Sequence, residues 1–414
     1  MAQLILENAR IFDGTHSECP EGMSVMVEGG IIREVSNGPF ATGSADTLRI
    51  DVGGKTLMPG LIDLHIHAYA SDINIAKVNL ADAPYRTAHA ARMLSHALDC
   101  GFTTVRDIGG GDWSLARAIE DKLIRAPRFF YAGKILSMTG GHGDMRQMGE
   151  SHHDHGYCSC GTMNAVAVVA DGVDECLKAV REELRRGAHC IKIMGSGGVA
   201  SPTDPIWMNQ YREDEIRAIV GECTERRTYV ASHCHPSSAI RRSVEFGVRC
   251  IEHGTLIDAE TAAFVAQNGA YVVPTMAICF TLVEMGRAMG FPPQSQEKVE
   301  FAYQSAIAGM DHMRTAGVKL GFGTDLLGVL YVHQAREFTI RSEVFSPIEI
   351  LRQATSMSAE ILQQSGKLGC IAPDAHADLI VVDGDPLKDI ALLSADGHKL
   401  DFIMRAGEIV KNRL

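Results

Sequence analysis

Two histidines, His65 and His67, close the apolar run Gly60-Leu-Ile-Asp-Leu-His-Ile-His67. On a strand, residues i and i+2 point to one side, so both imidazoles face one point at the strand's carboxyl end. Neutral imidazole is a good ligand for zinc. The pair therefore predicts part of a metal site, and the rest of the chain must complete it. Four later stretches can: Lys192 in Cys190-Ile-Lys-Ile-Met194, His233 ending Tyr229-Val-Ala-Ser-His233, His253 ending Cys250-Ile-Glu-His253, and Asp325 ending Lys319-Leu-Gly-Phe-Gly-Thr-Asp325. A lysine cation inside an apolar strand is costly to bury without a partner, which marks Lys192 as a site residue.

These six residues meet only if their strands run parallel and share one end. The chain has the pattern for that. From Leu61 onward, short apolar runs alternate with amphipathic helical stretches, the signature of parallel βαβ units. Strands are expected at Leu61–Ile66, Thr103–Ile108, Arg128–Ser137, Cys190–Met194, Tyr229–His233, Cys250–His253, Tyr271–Thr275 and Lys319–Asp325. Eight such units predict an α/β fold, a closed (β/α)8 TIM barrel, with its active site at the strands' carboxyl ends. Residues 1–58 alternate apolar and polar in short runs and read as a small antiparallel β unit. The tail returns to β texture at Ala377–Val382 and Asp401–Val410. The expected organisation is a β-sandwich domain of 1–58 plus 368–414 and a barrel domain of 59–367.

These residues and their surroundings resemble the amidohydrolase superfamily along nearly the whole chain. The matching pieces are Pro59-Gly-Leu-Ile-Asp-Leu-His-Ile-His67, Ile191-Lys-Ile193, His233, Glu252-His-Gly254, Gly323-Thr-Asp325 and Pro373-Asp-Ala-His-Ala-Asp-Leu-Ile-Val381. The resemblance implies two divalent metal ions, Zn2+ by the donor set. One would take His65, His67 and Asp325, the other His233 and His253. Lys192, carboxylated by carbon dioxide to a carbamate, would bridge them together with a hydroxide. It also implies that Asp325 is the general base that takes the hydroxide's proton and passes it to the leaving amine. His142, in Met138-Thr-Gly-Gly-His-Gly-Asp144, resembles a histidine that hydrogen-bonds the substrate's reacting carbonyl oxygen. His235 lies two residues past His233, where related dipeptidases carry a tyrosine for the substrate carboxylate. This chain has His-Pro there, and His235 is the candidate for that role.

Other features read as support. Gly195-Ser-Gly-Gly-Val-Ala-Ser-Pro202 is expected to be a substrate loop. His152, His153, His155, Cys158 and Cys160 have a spacing that fits no standard closed zinc site and read as an active-site loop. Arg106 and Asp107 end the second strand and read as a buried ion pair.

Composition narrows the function. With 414 residues, 46% of them hydrophobic, the chain can bury a large core. A formal charge of −12 argues against nucleic acid or an anionic membrane as partner. No apolar run reaches the roughly 18 residues of a membrane helix, and Met1–Arg10 lacks a signal-peptide pattern. The 11 cysteines form no regular framework and read as reduced thiols, so a cytoplasmic protein is expected. Within the superfamily, the resemblance points to a branch related to imidazolonepropionases that contains metal-dependent dipeptidases; Lys192 argues against a mononuclear imidazolonepropionase. The loops expected after the last two strands, Met276–Val283 and Leu326–His333, are mostly apolar, with Glu284 the nearest acid. That suits proline better than arginine or lysine. The expected activity is that of a prolidase-like Xaa-Pro dipeptidase on small molecules, dipeptides or N-acyl amino acids, in a homo-oligomer. The alternatives are a dipeptidase for Xaa-Arg/Lys or hydrophobic residues, and a cyclic amidase, lactonase or deaminase of the same superfamily. From another class, a catalytically silent homologue acting as a binding scaffold would be expected to have lost a ligand, and none is missing.

Overall fold

The chain begins with five short strands, β1 (Leu4–Ile11), β2 (Met23–Glu28), β3 (Ile31–Asn37), β4 (Leu48–Asp51) and β5 (Thr56–Pro59). In this computed structural model, residues 3–40, 47–146, 166–199, 201, 204–291 and 293–414 are described. β1, β2 and β3 pair antiparallel, as the alternation predicts. The expectation of an all-antiparallel unit is corrected by β4 and β5, which both run parallel to β1. β4 pairs along Leu4–Glu7 and β5 along Arg10–Ile11. The register of β1 against β2 shifts between Leu6 and Ala9, and Asn8 takes a left-handed φ of 57° there. A bulge of this kind bends a strand and lets it change neighbours.

The middle of the chain carries β6 (Leu61–Ile66), β7 (Phe102–Asp107), β8 (Arg128–Tyr131), β9 (Ile135–Ser137), β10 (Ala167–Val169), β11 (Ile191–Met194), β12 (Val230–Pro236), β13 (Cys250–Leu256), β14 (Tyr271–Val273) and β15 (Lys319–Leu320). All of their ladders are parallel. The order is β6-β7-β8 in one sheet and β10-β9-β11-β12-β13-β14-β15 in the other. Backbone hydrogen bonds join the two sheets at both sides. His189 N donates to Tyr131 O (2.8 Å) between β8 and the start of β11, and Leu64 N donates to Phe322 O (2.8 Å) between β6 and the chain beyond β15. The arrangement is a TIM-barrel-like α/β fold. The expected third strand is split into β8 and β9 around Gly133, whose φ is 75°. β10, not expected from the sequence, pairs with β9. The regular part of the expected eighth strand is confined to β15.

The helices are α1 (Ile75–Leu80), α2 (Ala83–Asp99), α3 (Trp113–Glu120), α4 (Gly172–Arg185), α5 (Glu213–Glu225), α6 (Ser237–Glu245), α7 (Ala259–Gln267), α8 (Met276–Met285), α9 (Pro293–Ala316), α10 (Arg336–Arg341), α11 (Pro347–Gln353) and α12 (Ser356–Ile361). Their ends follow capping rules. Asp258 accepts from Thr261 N (2.7 Å) at the start of α7, and Ser346 forms a capping box with Glu349 before Pro347 of α11. α8 corrects a loop expectation: Met276–Val283 is helical, with Glu337 accepting from Met276 N (2.9 Å) and Ala277 N (2.6 Å) at its free amino end.

The last strands, β16 (Leu379–Val382), β17 (Leu400–Arg405) and β18 (Glu408–Asn412), pair antiparallel and join β5 through β16. Both chain ends thus share one eight-stranded sheet, ordered β18-β17-β16-β5-β1-β2-β3 with β4 beside β1. It has its own apolar core, including Leu6, Val25, Ile32, Val381, Phe402 and Met404. The sheet holds the chain just before β6 in place; β6 carries His65, and His67 follows its last residue. None of the helices among the described residues is long and apolar enough to cross a membrane.

Candidate metal centre

All six residues expected at the mouth line one pocket: His65, His67, Lys192, His233, His253 and Asp325, with His142 beside them. Parallel strands explain the convergence, because each side chain leaves its strand at or near the carboxyl end. Imidazole centroids lie 4.7 Å apart for His65 and His253, 5.2 Å for His65 and His67, and 4.5 Å for His233 and His253. One ligand atom each from His65, His253 and Asp325 falls within 4.8 Å of the others. His253 (φ 74°) and Asp325 (φ 56°) both adopt left-handed backbone, which non-glycine residues avoid unless the surroundings enforce it.

The hydrogen bonds fix which nitrogen is free. His65 Nδ1 donates to Glu252 Oε2 (2.7 Å), and His67 Nδ1 donates to the carbonyl oxygen of Gly109 (2.9 Å). In the neutral imidazoles, Nε2 then carries a bare lone pair. Those lone pairs point at Asp325 Oδ1, 3.4 Å from His65 Nε2 and 3.2 Å from His67 Nε2. A cation placed between these three acceptors would satisfy all of them at once. His65 Nε2 and His233 Nε2 are both buried without a hydrogen-bond partner. Burial holds His233 and His253 well below the ordinary histidine value, which keeps them neutral and able to ligate. Burial opposes ionisation of Asp325, but its interactions with His65, His67 and His253 hold its pKa well below the ordinary carboxylate range. Nitrogen and oxygen donors in this mixture fit a divalent cation of the zinc type.

Lys192 points into the same pocket from β11 and is 1% exposed. It has no ion-pair partner among the described residues. Burial pushes its pKa down, against the pull of Glu252 and Asp325.

Behind the ligands stands a charged frame. Arg106 Nη2 donates to Glu252 Oε1 (2.7 Å), Nε to Leu64 O (2.7 Å) and Nη1 to the Tyr229 hydroxyl (3.1 Å). Arg106 and Glu252 are fully buried. Burial alone would raise Glu252; Arg106 and His65 outweigh it and bring the carboxyl to about 2. The expected Arg106–Asp107 pair is corrected: adjacent strand residues point to opposite sides. Asp107 accepts instead from Ala68 N (2.7 Å), Gly109 N (3.0 Å) and Gly111 N (2.9 Å), shaping the turn that offers Gly109 O to His67. Asp63 accepts from His65 N (3.0 Å), the Thr324 hydroxyl (2.6 Å) and Gln334 Nε2 (2.8 Å), tying β6 to the segment carrying Asp325.

His142 sits over the cluster, its ring stacked on His233 at 4.4 Å. Its Nδ1 lies 2.9 Å from Asp204 Oδ2 and 2.6 Å from the Ser201 hydroxyl, and its amide donates to Gln210 Oε1 (3.0 Å). The loop expected to contact substrate packs on it. A Cβ at Gly198 would come within 2.3 Å of the His142 ring, so glycine is required there. His235 stacks on His253 at 5.1 Å and its Nδ1 lies 2.9 Å from the Thr255 hydroxyl. Burial, then the nearby His142, brings His235 down to about 3. His152, His153, His155, Cys158 and Cys160 fall outside the described residues.

Sequence reasoning missed roles for Glu252, Asp204 and Asp63. Asp63 had a signal, being two residues before His65 on the same side of the strand. Glu252 lay within a quoted motif, but its partners come from two other strands. Asp204 has no spacing relation to His142 at all.

The chain belongs to the amidohydrolase family, whose family model matches residues 56–410. It is a hydrolase of that family and resembles its prolidases. An amidohydrolase of solved structure is 45% identical, covers 100% of both chains and superposes with a TM-score of 0.97. A prolidase solved with N-methylphosphonate-L-proline is 43% identical, covering 99% of this chain and 100% of its own, with a TM-score of 0.96. Ochratoxinase from Aspergillus niger is 28% identical over 368 residues, 86% of this chain and 75% of that protein, and its crystal structure gives a TM-score of 0.86.

Proposed function

We propose that this protein is a metal-dependent Xaa-Pro dipeptidase. Two divalent ions, Zn2+ by the donor set, would be held by His65, His67, His233, His253 and Asp325. Lys192 would be a ligand shared by both as a carbamate: its ammonium gives up one proton, and the amine nitrogen then bonds the carbon of carbon dioxide and loses a second. The observation that carries the metallohydrolase reading is Lys192 itself, a buried lysine with no ion-pair partner among the described residues, set among imidazoles whose lone pairs face Asp325. A carbamate turns that cation into an anionic two-oxygen ligand.

When bound, the metal pair supplies a Lewis acid and brings the pKa of water from about 15.7 to roughly 7. Asp325 is the group that accepts the proton of the attacking water at a carboxylate oxygen and returns it to the leaving nitrogen. His142 donates from Nδ1 to Asp204, and in its doubly protonated form it also offers Nε2 as donor to the scissile carbonyl oxygen, where negative charge develops. His235 is the group for the carboxylate of the substrate.

Likeness to the prolidase solved with a proline phosphonate supports proline as the leaving residue. So does the position of Glu284, which is exposed on α8, paired with Arg336 (2.9 Å), and not among the residues that line the pocket. The same reading takes the parallel strands as a closed (β/α)8 barrel of 59–367 and the sheet of both chain ends as a β-sandwich of 1–58 plus 368–414. It is supported by the hydrogen bonds that join the two parallel sheets and by the separate core of the chain-end sheet. The test is a hydrolysis panel of L-Xaa-L-Pro, L-Xaa-L-Arg and N-acyl amino acids with the zinc-loaded protein. Xaa-Pro cleavage that dominates the panel is expected; faster Xaa-Arg cleavage sinks the assignment.

A further inference from the structure

The pocket has two chemically different sides. Its floor holds the imidazoles, Lys192 and Asp325. Its wall is formed by Ile75 on α1, Ile135 on β9, Val166 before β10, Met194 at the end of β11, and Leu327 beyond Asp325. Ile135, Val166 and Met194 belong to a small apolar cluster of their own, with Ile75 packed against it. These side chains pack on one another and line the pocket as well.

We propose that the wall selects a large apolar Xaa side chain, so that the preferred substrates are dipeptides such as Leu-Pro and Phe-Pro. This inference rests on the Xaa-Pro reading. The orientation follows from charge. The proline half of the substrate ends in a carboxylate, which cannot be desolvated against apolar side chains without a partner. It must lie toward the side where His235 and Thr255 stand beside His253. The Xaa half then lies toward the wall. Its amino group is two bonds from the scissile carbon and stays near Asp325, whereas its side chain projects outward onto Ile75, Ile135 and Met194. A charged side chain there would meet no counter-charge among the wall residues. Each buried methylene contributes roughly a tenfold or larger preference in a pocket of this kind.

The experiment compares kcat/KM of the metal-loaded enzyme on Gly-Pro, Leu-Pro, Phe-Pro and Asp-Pro. Leu-Pro and Phe-Pro are expected to exceed Gly-Pro by about tenfold or more, with Asp-Pro the slowest. Ile75→Ala should cut the Phe-Pro to Gly-Pro ratio about tenfold or more, and Ile75→Met, which refills the space, should restore it. A folding defect would lower both substrates together and leave the ratio alone. Equal rates on Gly-Pro and Phe-Pro, a preference for Asp-Pro, or an unchanged ratio in Ile75→Ala overturns the inference. If no Xaa-Pro dipeptide is cleaved, the proposed function fails, and calorimetric binding still decides about the wall. N-phenylacetylproline binding at least about tenfold tighter than N-acetylproline supports it; equal binding rejects it.

Discussion

The two sides of the pocket mouth are held by different means. On the side of β6 and β13, His65 is fixed through Glu252 to Arg106, a chain of buried charged hydrogen bonds of 2.7 Å rooted in strands. On the side of β9 and β11, His142 is fixed through Asp204 and packed against Gly198, groups that belong to loops. Strand-borne contacts permit one geometry, which suits residues that must meet a metal at fixed distances. Loop-borne contacts can adjust, which suits a residue that meets substrate. The frame behind His65 should therefore control stability and metal retention, and the support of His142 should control turnover alone.

Predictions from this contrast run from large to small. Asp325→Asn should lower kcat by about 10²–10⁴, the range for a general base, as measured by steady-state hydrolysis. Arg106→Met leaves Glu252 buried without its cation and should cost about 3–5 kcal/mol in denaturant unfolding. Glu252→Gln should weaken metal affinity about 10- to 100-fold in a chelator competition. Asp204→Asn is expected to lower kcat/KM about tenfold while metal content and melting temperature stay close to the parent. A matching loss of metal in Asp204→Asn would erase the contrast between the two sides.

The smallest effect concerns Glu337, a buried carboxyl outside both sides, held by Arg341 (2.7 Å) at the amino end of α8. Burial raises its carboxyl from 4.5 to about 6. The folded state thus holds this proton more tightly than the unfolded chain. The associated stability is fully present below pH 4.5 and is lost as the pH rises through about 6. It amounts to about 2 kcal/mol at most. The unfolding free energy of the parent minus that of Glu337→Gln should fall over this window; a flat difference would remove Glu337 from the pH response.

Strand periodicity made much of the candidate site legible. His65, His67, Lys192, His233, His253 and Asp325 each sit at or near the end of an apolar run, and parallel strands bring such ends together. What stayed hidden depends on contacts the sequence does not space. α8 is apolar nearly all round, so its residues show no helical period and read as a loop. β4 and β5 are four residues each and carry no mark of their direction, which is set by the connections that return the chain alongside β1. Arg106 and Asp107 are neighbours in sequence and opposed in space, so adjacency suggested a pair that strand geometry forbids. Asp204 reaches His142 from a loop 62 residues away.

The proposed two-metal site with Lys192 as shared ligand is tested by metal content per chain and Xaa-Pro turnover on the same sample, for the parent and Lys192→Ala. About two ions per chain with turnover are expected in the parent, and loss of both in the variant. A variant that keeps two ions and full activity would contradict it.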